Sequence, residues 1–252
     1  MKRMKVAITG LTACSGCQLT LLNCEEELPE LLAHCEIIYF PLAESGNVLD
    51  AQFDAAIVEG AVSTPKDLEL LFKLRNASKL LVAYGTCALF GGVAAMNNGI
   101  STREELLRVV FGQGGEIPES FPPAPLVNFV SVDATITGCP PEKQEILELM
   151  AALAAGALPP TRAYPVCTEC RSRENLCLLL EKRELCLGPV VQGGCNARCP
   201  ATGIVCEGCR GPVREANVAQ ELELLLERGF GREEIERRMR RFKPEWNYGQ
   251  RS

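Results

Sequence analysis

The chain has 252 residues, 47% of them hydrophobic and 23% charged, the balance of a soluble globular protein with room for one large domain, or a domain and a smaller one. Its net charge of −6 argues against general nucleic-acid binding, which needs a basic face toward phosphate. No window approaches the roughly 18 apolar residues of a membrane span, and Thr9, Gly10 and Thr12 cut the first apolar run too short for a secretory leader, so a cytoplasmic location without membrane contact is expected.

In chain order, Val6–Thr9 reads as a short buried strand. The loop Leu11–Gln18 follows with Cys14-x2-Cys17, and Gln18–Leu32, rich in Leu and Glu, reads mostly as helix. Further strands are predicted at Glu36–Phe40, Asp54–Val58, Leu80–Ala83 and Asp133–Ile136. Between them, Thr64-Pro65-Lys66-Asp67 supplies an N-cap with proline at the first helical position, and Ser101-Thr102-Arg103-Glu104 is a capping box. Pro140-Pro141 is expected to open a helix over Glu142–Leu153 in the same way. This alternation implies an α/β fold, a parallel sheet covered on both faces. Gly91-Gly92 and Gly114-Gly115 fit neither a Walker nor a dinucleotide fingerprint, so nucleotide binding is not expected on this chain. The single histidine, His34, reads as an ordinary, partly exposed residue.

Gly156-Ala157-Leu158-Pro159-Pro160 marks a boundary, giving domains 1–160 and 161–252. Charge divides at the same place, since the first part is acidic and the second mildly basic. Periodicity fails from there until about Glu215. Residues 161–214 are expected to bury too little apolar surface to order themselves, and so to need a cross-link. Two helices close the chain, Ala216–Arg228 and Arg232–Phe242. The second carries Arg232, Arg237, Arg238, Arg240 and Arg241, read as a solvated charged face.

Fourteen cysteines in a reducing compartment point to metal ligation rather than disulfides. Cys87 and Cys139 follow the fourth and fifth predicted strands. With Cys14 and Cys17, four thiols converge on the carboxyl edge of the sheet, where open α/β folds bind ligands. Glu59 ends the third strand on that edge and can hydrogen-bond the groups around such a site; an exposed loop acid, or a cap for the next helix, is its alternative role. The remaining set is Cys167-x2-Cys170-x6-Cys177-x8-Cys186 and Cys195-x3-Cys199-x6-Cys206-x2-Cys209. Three groups of four thiols define three tetrahedral sites that suit zinc or iron–sulfur clusters. Three features favour clusters: Cys195-x3-Cys199-Pro200 repeats the ending of a ferredoxin-type run, the sheet-edge quartet draws on three loops, and three sites in series suggest an electron path. Cys24 and Cys35 stand outside the quartets and are expected to be non-ligating.

Leu11–Gln18, Gly85-Thr86-Cys87-Ala88 and Gly138-Cys139-Pro140-Pro141-Glu142 resemble the proximal-cluster motifs of [NiFe]-hydrogenase small subunits. Gly188-Pro189-Val190 through Gly194-Cys195-Asn196-Ala197-Arg198-Cys199-Pro200, with Cys206-Glu207-Gly208-Cys209-Arg210-Gly211, resembles the small (delta) subunits of cytoplasmic sulfhydrogenases and F420-non-reducing hydrogenases. The resemblance implies a flavodoxin-like domain followed by a small irregular cluster domain with C-terminal helices. It implies three [4Fe-4S] clusters. Cys14, Cys17, Cys87 and Cys139 would hold the proximal one, facing a nickel–iron centre on a separate large subunit. Cys195, Cys199, Cys206 and Cys209 would hold the medial cluster, and Cys167, Cys170, Cys177 and Cys186 the distal one. The implied role is electron transfer in H2 oxidation or proton reduction, with no catalytic residue on this chain and a flavin/NAD(P)-binding or iron–sulfur subunit as the onward partner. Cys167 stands where periplasmic and membrane-bound enzymes use a histidine, and Cys199 adds a fourth thiolate where they commonly carry a three-iron medial cluster. Two other readings are a quinone-reductase-type iron–sulfur subunit, which lacks the eight-cysteine segment, and a zinc-stabilised interaction module.

Overall fold

A computed structural model describes residues 3–112 and 119–246. Gly114-Gly115 lies outside the described residues. Five strands, β1 (Met4–Gly10), β2 (Cys35–Tyr39), β3 (Phe53–Glu59), β4 (Ser78–Tyr84) and β5 (Ala134–Ile136), form one sheet in the order β2-β1-β3-β4-β5, every pair parallel. All five coincide with predicted strands. Side chains alternate between two cores, as a period of two requires. Val6, Ile8, Ala55, Ile57, Val82 and Tyr84 share one core with Ile146, Leu149 and Met150. Ala7, Ala56, Val58, Leu81 and Ala83 share the other with Leu71 and Leu74. Burial on both faces explains why these strands read as nearly continuous apolar runs.

The helices of this half are α1 (Gly16–Leu22), α2 (Leu28–His34), α3 (Pro65–Ala77), α4 (Thr86–Phe90), α5 (Arg103–Phe111) and α6 (Lys143–Ala154). The single helix expected over Gln18–Leu32 is two, broken after Leu22. Pro29 has no N–H for the carbonyl four residues back, so one continuous helix cannot run through it. The Thr64 cap is as expected, with Pro65 at the helix start and Asp67 completing the box. The second capping box lies one residue later than predicted. Thr102 and Glu105 exchange the bonds, while the Ser101 N–H closes the preceding turn onto Asn97 O. Pro140 and Pro141 precede the cap of α6 rather than opening the helix, because Glu142 is the cap, its N–H bonded to Glu145. No residue of α5 is buried.

Beyond residue 160 come α7 (Val166–Ser172), α8 (Leu178–Glu181), α9 (Arg198–Ala201), α10 (Val218–Glu227) and α11 (Arg232–Arg240). The expectation that residues 161–214 bury too little to order themselves is corrected here. Val166, Leu179, Leu187, Val190 and Val191 pack with Leu225, Ile235 and Met239 into a third core. These apolar residues lie in loops and short turns without periodicity, so only the tertiary arrangement brings them together. The solvated face read on α11 holds for Arg232, Arg237 and Arg241, which are exposed, and is corrected for two arginines: the half-buried Arg238 donates to Leu185 O and Arg240 to Asn98 O. Among the described residues no helix is long and apolar enough to cross a membrane.

Leu81→Ala, which empties part of the core beneath α3, is expected to destabilise by about 2–5 kcal/mol. Thr64→Ala, which removes only a cap, is expected to cost about 1 kcal/mol. Urea unfolding under anaerobic conditions measures both.

Candidate metal centres

The strand-to-helix turns after β1, β4 and β5 all open on the carboxyl edge, and the first quartet of thiols stands there. Cys14 is exposed in the loop before α1, Cys17 is buried in its first turn, Cys87 lies in α4, and Cys139 follows β5. Backbone, not side chain, makes the room. Gly85 has φ +86°, and a Cβ there would stand 2.4 Å from Cys17 Sγ; Gly92 has φ +55°, and a Cβ there would stand 2.6 Å from Cys87 Sγ. The structure brings all four close enough to act on one another. Cys17 feels Cys139 and Cys87, and both Cys87 and Cys139 feel Cys14. Burial pushes the Cys17 thiol far up, and the neighbouring Glu59 adds to it. Cys139 is pushed up to about 12, first by burial and then by Cys87. Burial raises Cys87 as well, while the N–H groups of Ala94 and Val93 act to lower it.

Glu59 is only 2% exposed, and it is not a loop acid. It accepts the Cys17 N–H at 3.1 Å, the Gln18 N–H at 3.3 Å and the Gln18 side-chain amide at 2.9 Å. The N-cap of α1, Ser15, has φ 63° and makes no side-chain cap bond. A carboxylate from β3 therefore caps this helix from across the sheet. The Tyr84 hydroxyl donates to Cys17 O at 3.1 Å from the other side.

Cys195, Cys199, Cys206 and Cys209, together with Cys139, line a cavity of about 480 Å3. Glu169 holds the loop between the first two by accepting the N–H groups of Gly194 at 2.6 Å and Ala197 at 3.1 Å. Burial raises Cys195 while Arg210 opposes it, and burial followed by Cys195 pushes Cys209 up to about 11. Cys167, Cys170, Cys177 and Cys186 line another cavity, of about 560 Å3. Cys167 and Cys170 share one face of α7. Burial, then Cys186, Cys170 and Cys177, pushes Cys167 up to about 12. The quartets adjoin in series: Cys139 lines the cavity of the second quartet, and the Cys206 N–H donates to Cys186 Sγ at 3.3 Å. Among the described residues no three Cys, His, Asp or Glu side chains converge tightly enough to share one metal ion.

Cys24 and Cys35 sit in the core on the α1 and α6 side of the sheet, Cys24 bonding to Thr20 O. Sequence reasoning missed four polar residues around the thiols. Thr86 accepts the Gly138 N–H at 3.2 Å and donates to Cys209 O, tying the sheet edge to the second quartet. Arg210 pairs with Glu145 in the interior. Glu221 on α10 is 3% exposed, acts on Cys167, and has an Oε1 without a hydrogen-bond partner. The signal for Arg210 was its place beside Cys209 in a glycine-rich loop; Thr86, Glu145 and Glu221 have none outside the tertiary structure.

The fold that carries these thiols is shared with solved hydrogenase structures. The structure of an NAD+-reducing [NiFe]-hydrogenase in the H2-reduced state matches with TM-score 0.55 and 28% identity, covering 63% of this chain and 95% of that one. The reduced, active Ni-Fe-Se hydrogenase from Desulfomicrobium baculatum matches in fold with TM-score 0.57 and 20% identity over 84% of this chain and 95% of that one. In sequence, residues 14–153 match the family described as NADH ubiquinone oxidoreductase, 20 Kd subunit. Sulfhydrogenase 2 subunit delta from Pyrococcus furiosus is 43% identical over 239 residues, 95% of this chain and 99% of that one. A subunit of the F420-non-reducing hydrogenase vhu from Methanocaldococcus jannaschii is 35% identical over 236 residues, 82% of each. The chain belongs to the NADH ubiquinone oxidoreductase 20 Kd subunit family, within its group of hydrogenase subunits.

Glu59→Ala leaves three donors without their acceptor, and at about 1–3 kcal/mol for each buried unsatisfied group the loss is expected to exceed about 3 kcal/mol; thermal unfolding of the intact complex measures it. Glu221 gives a pH dependence. Burial raises its carboxyl to about 7, against about 4.3 when unfolded, so the folded chain keeps a proton that the unfolded chain has lost. Stability from this group is therefore lost as pH rises from about 4 through about 7, by up to about 4 kcal/mol. Glu221→Gln is expected to remove that loss, raising the melting temperature most at pH 8 and leaving it nearly unchanged at about pH 4.

Proposed function

We propose that this chain is the electron-transfer small subunit of a cytoplasmic [NiFe]-hydrogenase, with a sheet domain over residues 1–160 and a cluster domain over residues 161–252. The observation that carries the reading is the serial disposition of twelve thiols, four at the sheet edge and two further sets around cavities of about 480 and 560 Å3. Soft thiolate donors in sets of four match the needs of [4Fe-4S] clusters, which when bound store and pass single electrons. A zinc ion with Zn–S bonds of about 2.3 Å would draw its four sulfurs together and leave no such void. The zinc-stabilised module is therefore the weaker alternative. The quinone-reductase-type reading accounts for residues 14–153 but not for the eight thiols beyond them.

The chain's own residues serve this role in three ways. Cys14 is exposed, and so are the apolar side chains of Leu19, two residues after Cys17, and Val93, in the segment after α4, so the edge that carries the first quartet offers apolar surface suited to the large subunit carrying the nickel–iron centre. Glu59, Glu169 and the glycines hold the thiols in place with little freedom. At the far end, exposed Leu176 and Leu180 flank Cys177 and the cavity of the third quartet, offering a dock for a flavin/NAD(P)-binding or iron–sulfur subunit. Hydrogen is split on the large subunit, and this chain conducts.

Anaerobic metal analysis of the complex, corrected for metal on the other subunits, tests the reading. About twelve iron and twelve acid-labile sulfide per chain are expected, falling by about four of each when one quartet is disrupted by Cys→Ser. Cys24→Ser with Cys35→Ser is expected to leave both counts unchanged. About three zinc with no sulfide would replace the conducting role by a structural one.

A further inference from the structure

Arg210 heads the largest fully buried side chains, at 1% exposure, and it directly follows Cys209. Its guanidinium forks onto both carboxylate oxygens of Glu145 on α6, Nη1 to Oε2 at 2.8 Å and Nη2 to Oε1, while Nε donates to Gly193 O at 2.9 Å. Gly194, at φ +115°, closes the cage with backbone alone: a Cβ there would stand 2.5 Å from Arg210 Nη2 and 2.7 Å from Glu145 Oε1. Stability does not explain such a pair, since well-packed apolar residues usually serve a core as well as a buried ion pair does. Its position does. Arg210 lines the same cavity as Cys195, Cys199, Cys206 and Cys209, and its charge opposes the burial that raises Cys195 and Cys209. Carboxylates act on all three quartets, Glu59 on the first, Glu169 on Cys195 of the second and Glu221 on the third, but Arg210 is a cation, buried directly behind its own quartet.

We propose that Arg210 sets the reduction potential of the centre held by Cys195, Cys199, Cys206 and Cys209, and that Glu145 positions it and tempers its charge. The proposal rests on the iron–sulfur reading above. A cluster gains one negative charge on reduction, so a fixed cation beside its thiolates favours the reduced form and a fixed anion disfavours it. Arg210 thus favours electron uptake at the middle site against the carboxylates of Glu145 and Glu169, and the charge can be removed from either partner of the Arg210–Glu145 pair with opposite effects.

Potentiometric titration followed by electron paramagnetic resonance on the whole complex, wild type against R210Q, R210K and E145Q, reads this directly. In R210Q the medial centre is expected to reduce about tenfold less favourably, about 59 mV for one electron. R210K keeps the charge and is expected to restore most of that loss. E145Q removes the anion and is expected to shift the same centre upward, with the other two centres nearly unmoved in every variant. An unchanged medial potential in a fully loaded R210Q complex overturns the proposal, and so does a shift of the same sign in R210Q and E145Q. Loss of the medial centre in both variants would make the pair purely structural and also overturns it. A wild-type complex without iron and sulfide on this chain would instead overturn the iron–sulfur reading itself.

Discussion

One buried carboxylate holds the sheet edge together. Glu59 ends the central strand, and from there it takes the N–H groups of Cys17 and Gln18 and the Gln18 amide. Without it the first turn of α1 would keep buried donors with no acceptor, because Ser15 offers none. The contact fixes the loop after β1 against β3, and β3 in turn fixes β4, whose turn carries Cys87. The spacing of the first quartet thus follows from strand order plus one side chain.

The second constraint is that a thiol-rich loop segment must meet the sheet without a helix or strand to dock it. Polar groups perform that docking at three points. Thr86 reaches Cys209 O, Glu145 reaches Arg210, and Glu142 reaches Arg198. Two of these acids stand at the start of α6, the helix that follows Cys139. The same few residues after β5 therefore carry one thiol of the sheet edge and anchor the quartet behind it.

Much of this was legible in the residues. Strands buried on both faces are nearly continuous in Val, Ile, Leu and Ala, and the turns after them carry the cysteines, so fold class and edge both follow from pattern. The cysteine spacing similarly sorts the thiols into sets. Glu59 was readable as a residue near the edge but not as the cap of α1, because that contact spans some forty residues and depends on β1 lying beside β3. The limit that Pro29 sets on one long helix was visible in principle, and the Leu and Glu around it hid it. The third core could not be read at all. Val166, Leu187, Val190 and Val191 follow no period, and their burial is decided by α10 and α11 further along the chain. Arg238 and Arg240 were misread for the same reason, since their acceptors Leu185 O and Asn98 O are backbone atoms far away in sequence.

Helix α5 stands apart from all three cores, with Val109 and Val110 at 85% and 72% exposure and Phe111 nearly half exposed. A short helix that buries nothing adds almost nothing to folding cooperativity, so its residues are free of the packing that constrains the strands. They are not free of the solvent. A contiguous apolar face of this kind is where one molecule meets another as concentration rises. Part of the behaviour of the isolated chain in solution therefore comes from nine residues that its folding does not need, and handling conditions chosen by melting temperature alone would overlook them.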